Sequence, residues 1–291
     1  MKASTWLLGA LASLVFLSGC GGSKSSSNTT LATVSSVSIS PTLNTSPTVV
    51  GYRQTIKMVV NGQNLQQGIT ITNPGCNSLT ESTGGSSTTR TFTCKIIRVG
   101  PFDMFITDAA NNRLYFASMS APLAARPQVT LATTMGNIVV ELNPGAAPIS
   151  VDNFLSYVEA GFYSNTIFHR ADKQVIQAGG YNPSLTALTP TYSAISLEST
   201  LATGLSNTQG TIGMASTSAA NSATSQFYFN VIDNSSIFNA TTTSGGYAVF
   251  GTIVSGLTVM NAIDAVPTSV QGGLPTVPVT PVIITSATRT Q

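Results

Sequence analysis

The chain holds one histidine, His169, and three cysteines, Cys20, Cys76 and Cys94, among 291 residues. That inventory limits the chemistry. A zinc site needs several imidazole, thiolate or carboxylate ligands at close spacing, and these residues do not supply one. A Ser-His-Asp hydrolase would have to be built on His169 alone. His169 instead reads as a packed, hydrogen-bonded imidazole. Its neighbour Arg170 is planar, always charged and forked, so it can hold two acceptors at once. Gly179-Gly180 and Gly245-Gly246 read as tight turns, because no Lys-Ser/Thr follows to complete a phosphate cradle. No metal and no cofactor is expected. Net charge is +2, from 12 basic and 10 acidic residues. Without a basic stripe, that excludes an electrostatically driven nucleic-acid binder.

The elements that must position these residues fall into two regions. Hydrophobic residues make up 42% of the chain, enough for a sizeable core, while charged residues make up only 8%. Ser and Thr, about a quarter of the sequence, fill the gap. From Val34 to Ser120 short alternating runs recur: Val37/Ile39, Ile56 to Val60, Ile69 to Ile71, Phe92 to Ile97, Phe102 to Thr107 and Leu114 to Met119. Turn signals such as Asn73-Pro74-Gly75 and Asn111-Asn112 separate them. Some six strands without a helical period predict a small β-sandwich over 34–120. Residues 121–127 have the composition of a linker.

From 128 to 291 the pattern changes. Val129 to Leu131 and Ile138 to Leu142 flank Met135-Gly136-Asn137, a hairpin signal. Val151, Phe154, Leu155 and Val158 form one apolar stripe at helical spacing, with Ser150 as the cap, Asp152 in the first turn and Gly161 at the end. Leu257, Met260 and Ile263 predict a second helix stopped by Pro267. Strands are predicted over Gln226 to Ile232, Tyr247 to Val254 and Val279 to Ile284. Strands with a short helix at either end suggest a capped β-barrel.

The amino end reads as a targeting segment. Lys2 and the apolar run Trp6 to Leu17 have signal-peptide proportions, and Leu17-Ser18-Gly19-Cys20 resembles a bacterial lipobox. The resemblance implies a signal peptide over 1–19, a lipidated Cys20 and attachment to the cell envelope. Gly rather than Asp after Cys20 implies the outer membrane, facing the periplasm. Residues 20–33 suit a flexible tether. Export permits disulfides, so Cys76 and Cys94, 18 apart, form a candidate bridge, the alternative being two free buried thiols. The segment 34–120 resembles immunoglobulin-like modules of bacterial surface lipoproteins, which suits a spacer or docking role.

Five segments in order carry a more specific resemblance. They are Gly161 to Arg170 (GFYSNTIFHR), Val175 to Gly180 (VIQAGG), Gln209 to Ala215 (QGTIGMA), Ser222 to Asn230 (SATSQFYFN) and Gly246 to Gly251 (GYAVFG). Together they resemble the cyclophilin family of peptidyl-prolyl isomerases, particularly its bacterial periplasmic branch. The resemblance implies a mainly β protein with an eight-stranded barrel capped by two helices. It implies Arg170 as the catalytic cation. Val175, Tyr228 and Phe238 would wall a proline pocket, and Gln177 would orient the arginine. Ala215, Ser216 and Gln226 would contact peptide backbone, and Tyr247 would stand where many relatives carry histidine. The partners implied are proline-containing unfolded or exported polypeptides. Two departures stand out. Ala171-Asp172-Lys173-Gln174 is one residue short and places Gln174 where relatives carry an aromatic, and Ile237 replaces a larger aromatic. These leave two further readings open, a catalytically weak peptide-binding module and an anchored structural or adhesion lipoprotein.

Overall fold

Alternation of large apolar residues with Ser, Thr and Lys makes each strand two-faced, and the buried face decides how the sheets stack. The computed structural model describes residues 31–291. The signal peptide expected over 1–19, the lipidation expected at Cys20 and most of the tether expected over 20–33 fall on residues outside the described ones. The first region contains β1 (Thr33–Ser40), β2 (Asn44–Thr45), β3 (Thr48–Val49), β4 (Thr55–Gln63), β5 (Ile69–Thr72), β6 (Cys76–Glu81), β7 (Thr89–Ile96), β8 (Gly100–Asp108) and β9 (Arg113–Ala121). They form a four-stranded sheet in the order β1-β4-β7-β6 and a five-stranded sheet in the order β2-β3-β9-β8-β5. Ile56, Met58 and Val60 of β4, Phe92, Cys94 and Ile96 of β7, and Phe102, Met104 and Ile106 of β8 meet in one core. Cys76 opens β6 and is bridged to Cys94, so the disulfide ties strand to strand.

The second region runs through β10 (Gln128–Thr133), β11 (Gly136–Leu142), α1 (Pro148–Glu159), β12 (Thr166–Ile167), β13 (Arg170–Ala171) and β14 (Val175–Ala178). It continues with α2 (Thr200–Thr203), β15 (Thr211–Met214), β16 (Phe227–Asn230), α3 (Ser235–Phe238), β17 (Val249–Ser255) and α4 (Leu257–Ala265). The hairpin β18 (Thr268–Gln271)/β19 (Leu274–Pro278) and the last strand β20 (Ile283–Arg289) complete it. One sheet takes the order β12-β20-β10-β11-β17-β15-β16-β14-β13. Nine strands thus stand where eight were expected, because the segment 166–171 is divided. Its first half pairs with β20 and its second with β14. Between them the Phe168 amide donates to the Val282 carbonyl and the His169 amide to the Gln177 carbonyl, both at 3.0 Å. One short segment therefore stitches the two ends of the sheet together and curls it.

Within 128–291 four α-helices are present rather than two, α2 and α3 being single turns. In α1 the expected stripe is buried, Val151, Phe154 and Leu155 completely. The helix start differs from expectation. Ser150 lies inside the first turn, not at its cap, and Asp152 is turned to other partners. The Glu198 carboxylate accepts the Ile149 and Ser150 amides at 2.9 and 2.8 Å, satisfying donors that an uncapped helix leaves open. Burial holds Glu198 above the usual carboxylate range. Gly161, at φ 69°, ends the helix as expected. In α4 Met260 and Ile263 are buried but Leu257 is exposed, so the apolar stripe is shorter than its sequence suggests. The final strand starts at Ile283, four residues later than predicted, because 268–278 fold back as a separate hairpin.

A polar seam joins the first region to α1. The carboxylate of Asp152 is bonded to Arg53, to Lys95 at 2.7 Å and to Asn77 at 3.2 Å. Arg53 also reaches Glu159 at 2.6 Å. The side chains of Arg53 and Asp152 are only 8% and 6% exposed. Beside them, burial pushes the Tyr52 hydroxyl up to about 12.

Candidate active site

Antiparallel register places directly paired side chains on the same face of a sheet. Arg170 pairs with Gln177, Gln177 with Tyr228, and Tyr228 with Gly213. These four residues form a row across β13, β14, β16 and β15. Val175, two residues before Gln177, shares their face. Gly213 is needed at the end of the row. A Cβ there would meet the Tyr228 ring and hydroxyl at 2.4 Å, so the ring lies flat over the glycine.

This row is one wall of a cleft of about 140 Å³, lined by Arg170, Val175, Gln177, Ala215, Ser216, Tyr228, Phe238 and Tyr247. Tyr228, Phe238 and Tyr247 contact one another edge to face, with centroids 5.2–6.1 Å apart. Such contacts hold rings in place beyond their buried area alone. Gln226, expected to touch peptide backbone, is not in the lining. Its side chain accepts from Gln177 Nε2 at 2.9 Å, and its carbonyl accepts the Ala215 amide at 3.0 Å. Gln174, at the position where relatives carry an aromatic, is also outside the cleft. Its carbonyl accepts the Val231 amide and Asn234 Nδ2. Ile237 points away, 61% exposed. The two departures that suggested a weakened pocket thus lie off its walls.

The Arg170 side chain is 38% exposed. Its Nε and Nη2 donate to Asp172 Oδ2 at 2.7 and 2.6 Å. Its Nη1 lies 3.4 Å from Gln177 Oε1. A guanidinium has five N–H donors, so one on each terminal nitrogen is left for a bound molecule. His169 is 4% exposed, with its ring against Tyr181. Burial lowers its pKa to about 4, which leaves a neutral imidazole near pH 7, packed as expected.

Behind the cleft lies a buried amide network that no sequence signal pointed to. Tyr228 Oη donates to Asn207 Oδ1 at 2.5 Å, and Asn230 Nδ2 donates to the same oxygen. Asn207 Nδ2 reaches the Tyr247 carbonyl, and Asn234 Nδ2 donates to Asn230 Oδ1. The Asn234 carbonyl accepts the Phe238 amide. All three aromatic walls are therefore tied to one network, and burial holds the Tyr228 hydroxyl far above its ordinary range. Among the described residues no group of three or more His, Cys, Asp or Glu side chains is placed to hold a metal ion.

The family profile described as "Cyclophilin type peptidyl-prolyl cis-trans isomerase/CLD" matches residues 128–289. A peptidyl-prolyl cis-trans isomerase of Acinetobacter baylyi is 44% identical over 169 residues, covering 58% of this chain and 88% of the relative. Peptidyl-prolyl cis-trans isomerase B of Escherichia coli is 42% identical over 163 residues, covering 55% of this chain and 98% of the relative. A solved cyclophilin-type isomerase of Cryptosporidium parvum is similar at TM-score 0.48 and 24% identity, covering 57% of this chain and 98% of that one. The chain belongs to the cyclophilin-type peptidyl-prolyl cis-trans isomerases.

Proposed function

We propose that this isomerase acts on proline-containing polypeptides at the bacterial envelope, anchored through a lipidated Cys20, with Arg170 stabilising the twisted prolyl amide. In this reading residues 34–120 form an immunoglobulin-like sandwich that spaces or docks the isomerase, 121–127 link the two, and 128–291 carry the activity. Rotation about an X–Pro bond faces a barrier of about 18–20 kcal/mol because amide resonance is lost on the way. No nucleophile, acid or metal is required. The site must bind the twisted amide better than either planar isomer. The observation that carries the proposal is the arginine fork facing an aromatic cleft. The apolar walls of Val175, Tyr228 and Phe238 suit a proline ring. The two remaining N–H groups of Arg170 suit the pyramidal nitrogen and the displaced carbonyl oxygen.

The test is a coupled proline-peptide assay on the purified chain. Arg170→Ala should lose on the order of 100- to 1000-fold in rate, the cost of removing a preorganised donor, with the fold intact. Arg170→Lys should fail nearly as badly, since an ammonium has no fork. Equal rates for wild type and Arg170→Ala would overturn the assignment. For the anchor, the intact mass of membrane-extracted protein should show acyl mass on Cys20, and an unmodified cysteine would reject it.

A further inference from the structure

The strongest polar contact of Arg170 is not with Gln177 but with Asp172. One oxygen of that carboxylate, Oδ2, receives both Nε and Nη2. The other oxygen, Oδ1, accepts the backbone amides of Gln174 and Val175 at 3.1 and 3.0 Å. Lys173 between them adopts a left-handed backbone, φ 71°, and its own amide and ammonium are held by Asp264 on α4. The short loop 171–174 is thus closed around one carboxylate, which presents its second oxygen to the guanidinium.

We infer that Asp172 is the positioning residue for Arg170, fixing the side of the fork so that its two end donors face the cleft. The inference rests on the isomerase reading of Arg170. An arginine side chain has several rotatable bonds, and a partly exposed one is not held by packing. Gln177, at 3.4 Å, is too distant to fix it alone. Two short charge-assisted bonds to one oxygen restrict rotation about the guanidinium axis. Asp172 does not line the cleft, so it acts through Arg170 and not on the substrate. Because the fork matters mainly to the twisted amide, loss of its alignment lowers turnover and leaves ground-state binding nearly unchanged.

The experiment is a double-mutant cycle with separate kcat and KM. Asp172→Asn keeps an acceptor for the Gln174 and Val175 amides but removes the charge that grips the fork. It should lower kcat on the order of 10-fold, less than the cost of misplacing a reacting group by a full ångström, with KM within about twofold. Asp172→Ala, which also frees the loop, should lose at least as much. In an Arg170→Ala background Asp172→Asn should change nothing further, since the group it positions is gone. Wild-type kcat in Asp172→Asn, or an equal loss in both backgrounds, would overturn the inference while leaving Arg170 in place. Wild-type rates for Arg170→Ala itself would sink the parent reading instead.

Discussion

The two regions both bury alternate faces of β-strands, yet their interiors differ in kind. Among the described residues before Ala121, apart from Arg53 in the seam, the buried polar side chains are Asn73 and Asp108, and each bonds chiefly within its own turn. Asn73 accepts the Gly75 amide, and Asp108 accepts the amides of Ala110 and Asn112. After Gln128 the buried amides Asn207, Asn230 and Asn234 bond to one another and to the groups that hold the cleft walls. A buried amide is costly unless paired, and once paired it fixes direction as apolar packing does not. Apolar faces are enough to stack two sheets, and the disulfide only ties β6 to its neighbour β7 within one of them. Holding three rings and a guanidinium around 140 Å³ calls for directional bonds.

The largest effect should come from the seam between the regions. Asp152→Ala leaves Arg53 buried without its main partner, and breaking such a pair costs about 3–5 kcal/mol. Chemical denaturation should show that loss, and the two regions should cease to unfold together. A cost below about 1 kcal/mol would mean that the seam is no more than a surface contact. Next, replacing Cys76 and Cys94 by Ser opens an 18-residue separation, worth about 3 kcal/mol in the chain-entropy model. The first region should melt earlier while isomerisation measured below that transition stays at its wild-type rate. A matching fall in rate would erase the distinction between a constrained region and a directional one.

The last effect concerns pH, is spread over a window of acidic pH, and belongs to the second region. His169 titrates at about 4 when folded against 6.5 as the ordinary value. Between those values the unfolded chain binds more protons than the folded one, so stability falls as pH falls. The contribution is fully present above pH 6.5 and is lost progressively down to about pH 4, at up to about 1.4 kcal/mol per pH unit. Melts of wild type and His169→Gln across this window should differ in slope. Identical slopes would show that the imidazole is solvated in the folded state.

Which of these features could be seen in the sequence follows from the range of the interaction. Strands β4, β7, β8 and β9 were legible because alternation is local, as was α1 from its stripe. Seven of the eight expected binding residues, and Arg170, come together in the cleft; all but Ser216 and Phe238 fall within the ordered motifs. Gln226 stands one residue behind, bonded to Gln177. The cap of α1 was misplaced onto Ser150 because the true acceptor, Glu198, lies 49 residues from Ile149. In the sequence the loop holding Asp172 reads only as one residue short, whereas in the fold its carboxylate closes that loop onto the guanidinium. Gln174 and Ile237 were judged against a pattern of side chains, whereas the backbone turns both away. The asparagine network has no periodicity, so nothing in the spacing of Asn207, Asn230 and Asn234 announces it.

The stitching segment from Thr166 to Ala171 has a consequence for how a substrate chain can be held. An open flank of a β-sheet is a row of unpaired amides and carbonyls that recruits any extended chain as an added strand, the first step towards aggregation. A prolyl isomerase works on extended polypeptide, the form most apt to add in this way. With its two ends joined through Phe168 and His169, the nine-stranded sheet shortens that flank to the outer edge of β20 beyond Ile284, where only the β10 side is paired. Less backbone is thereby left open to an added tenth strand than in a sheet whose two ends are free.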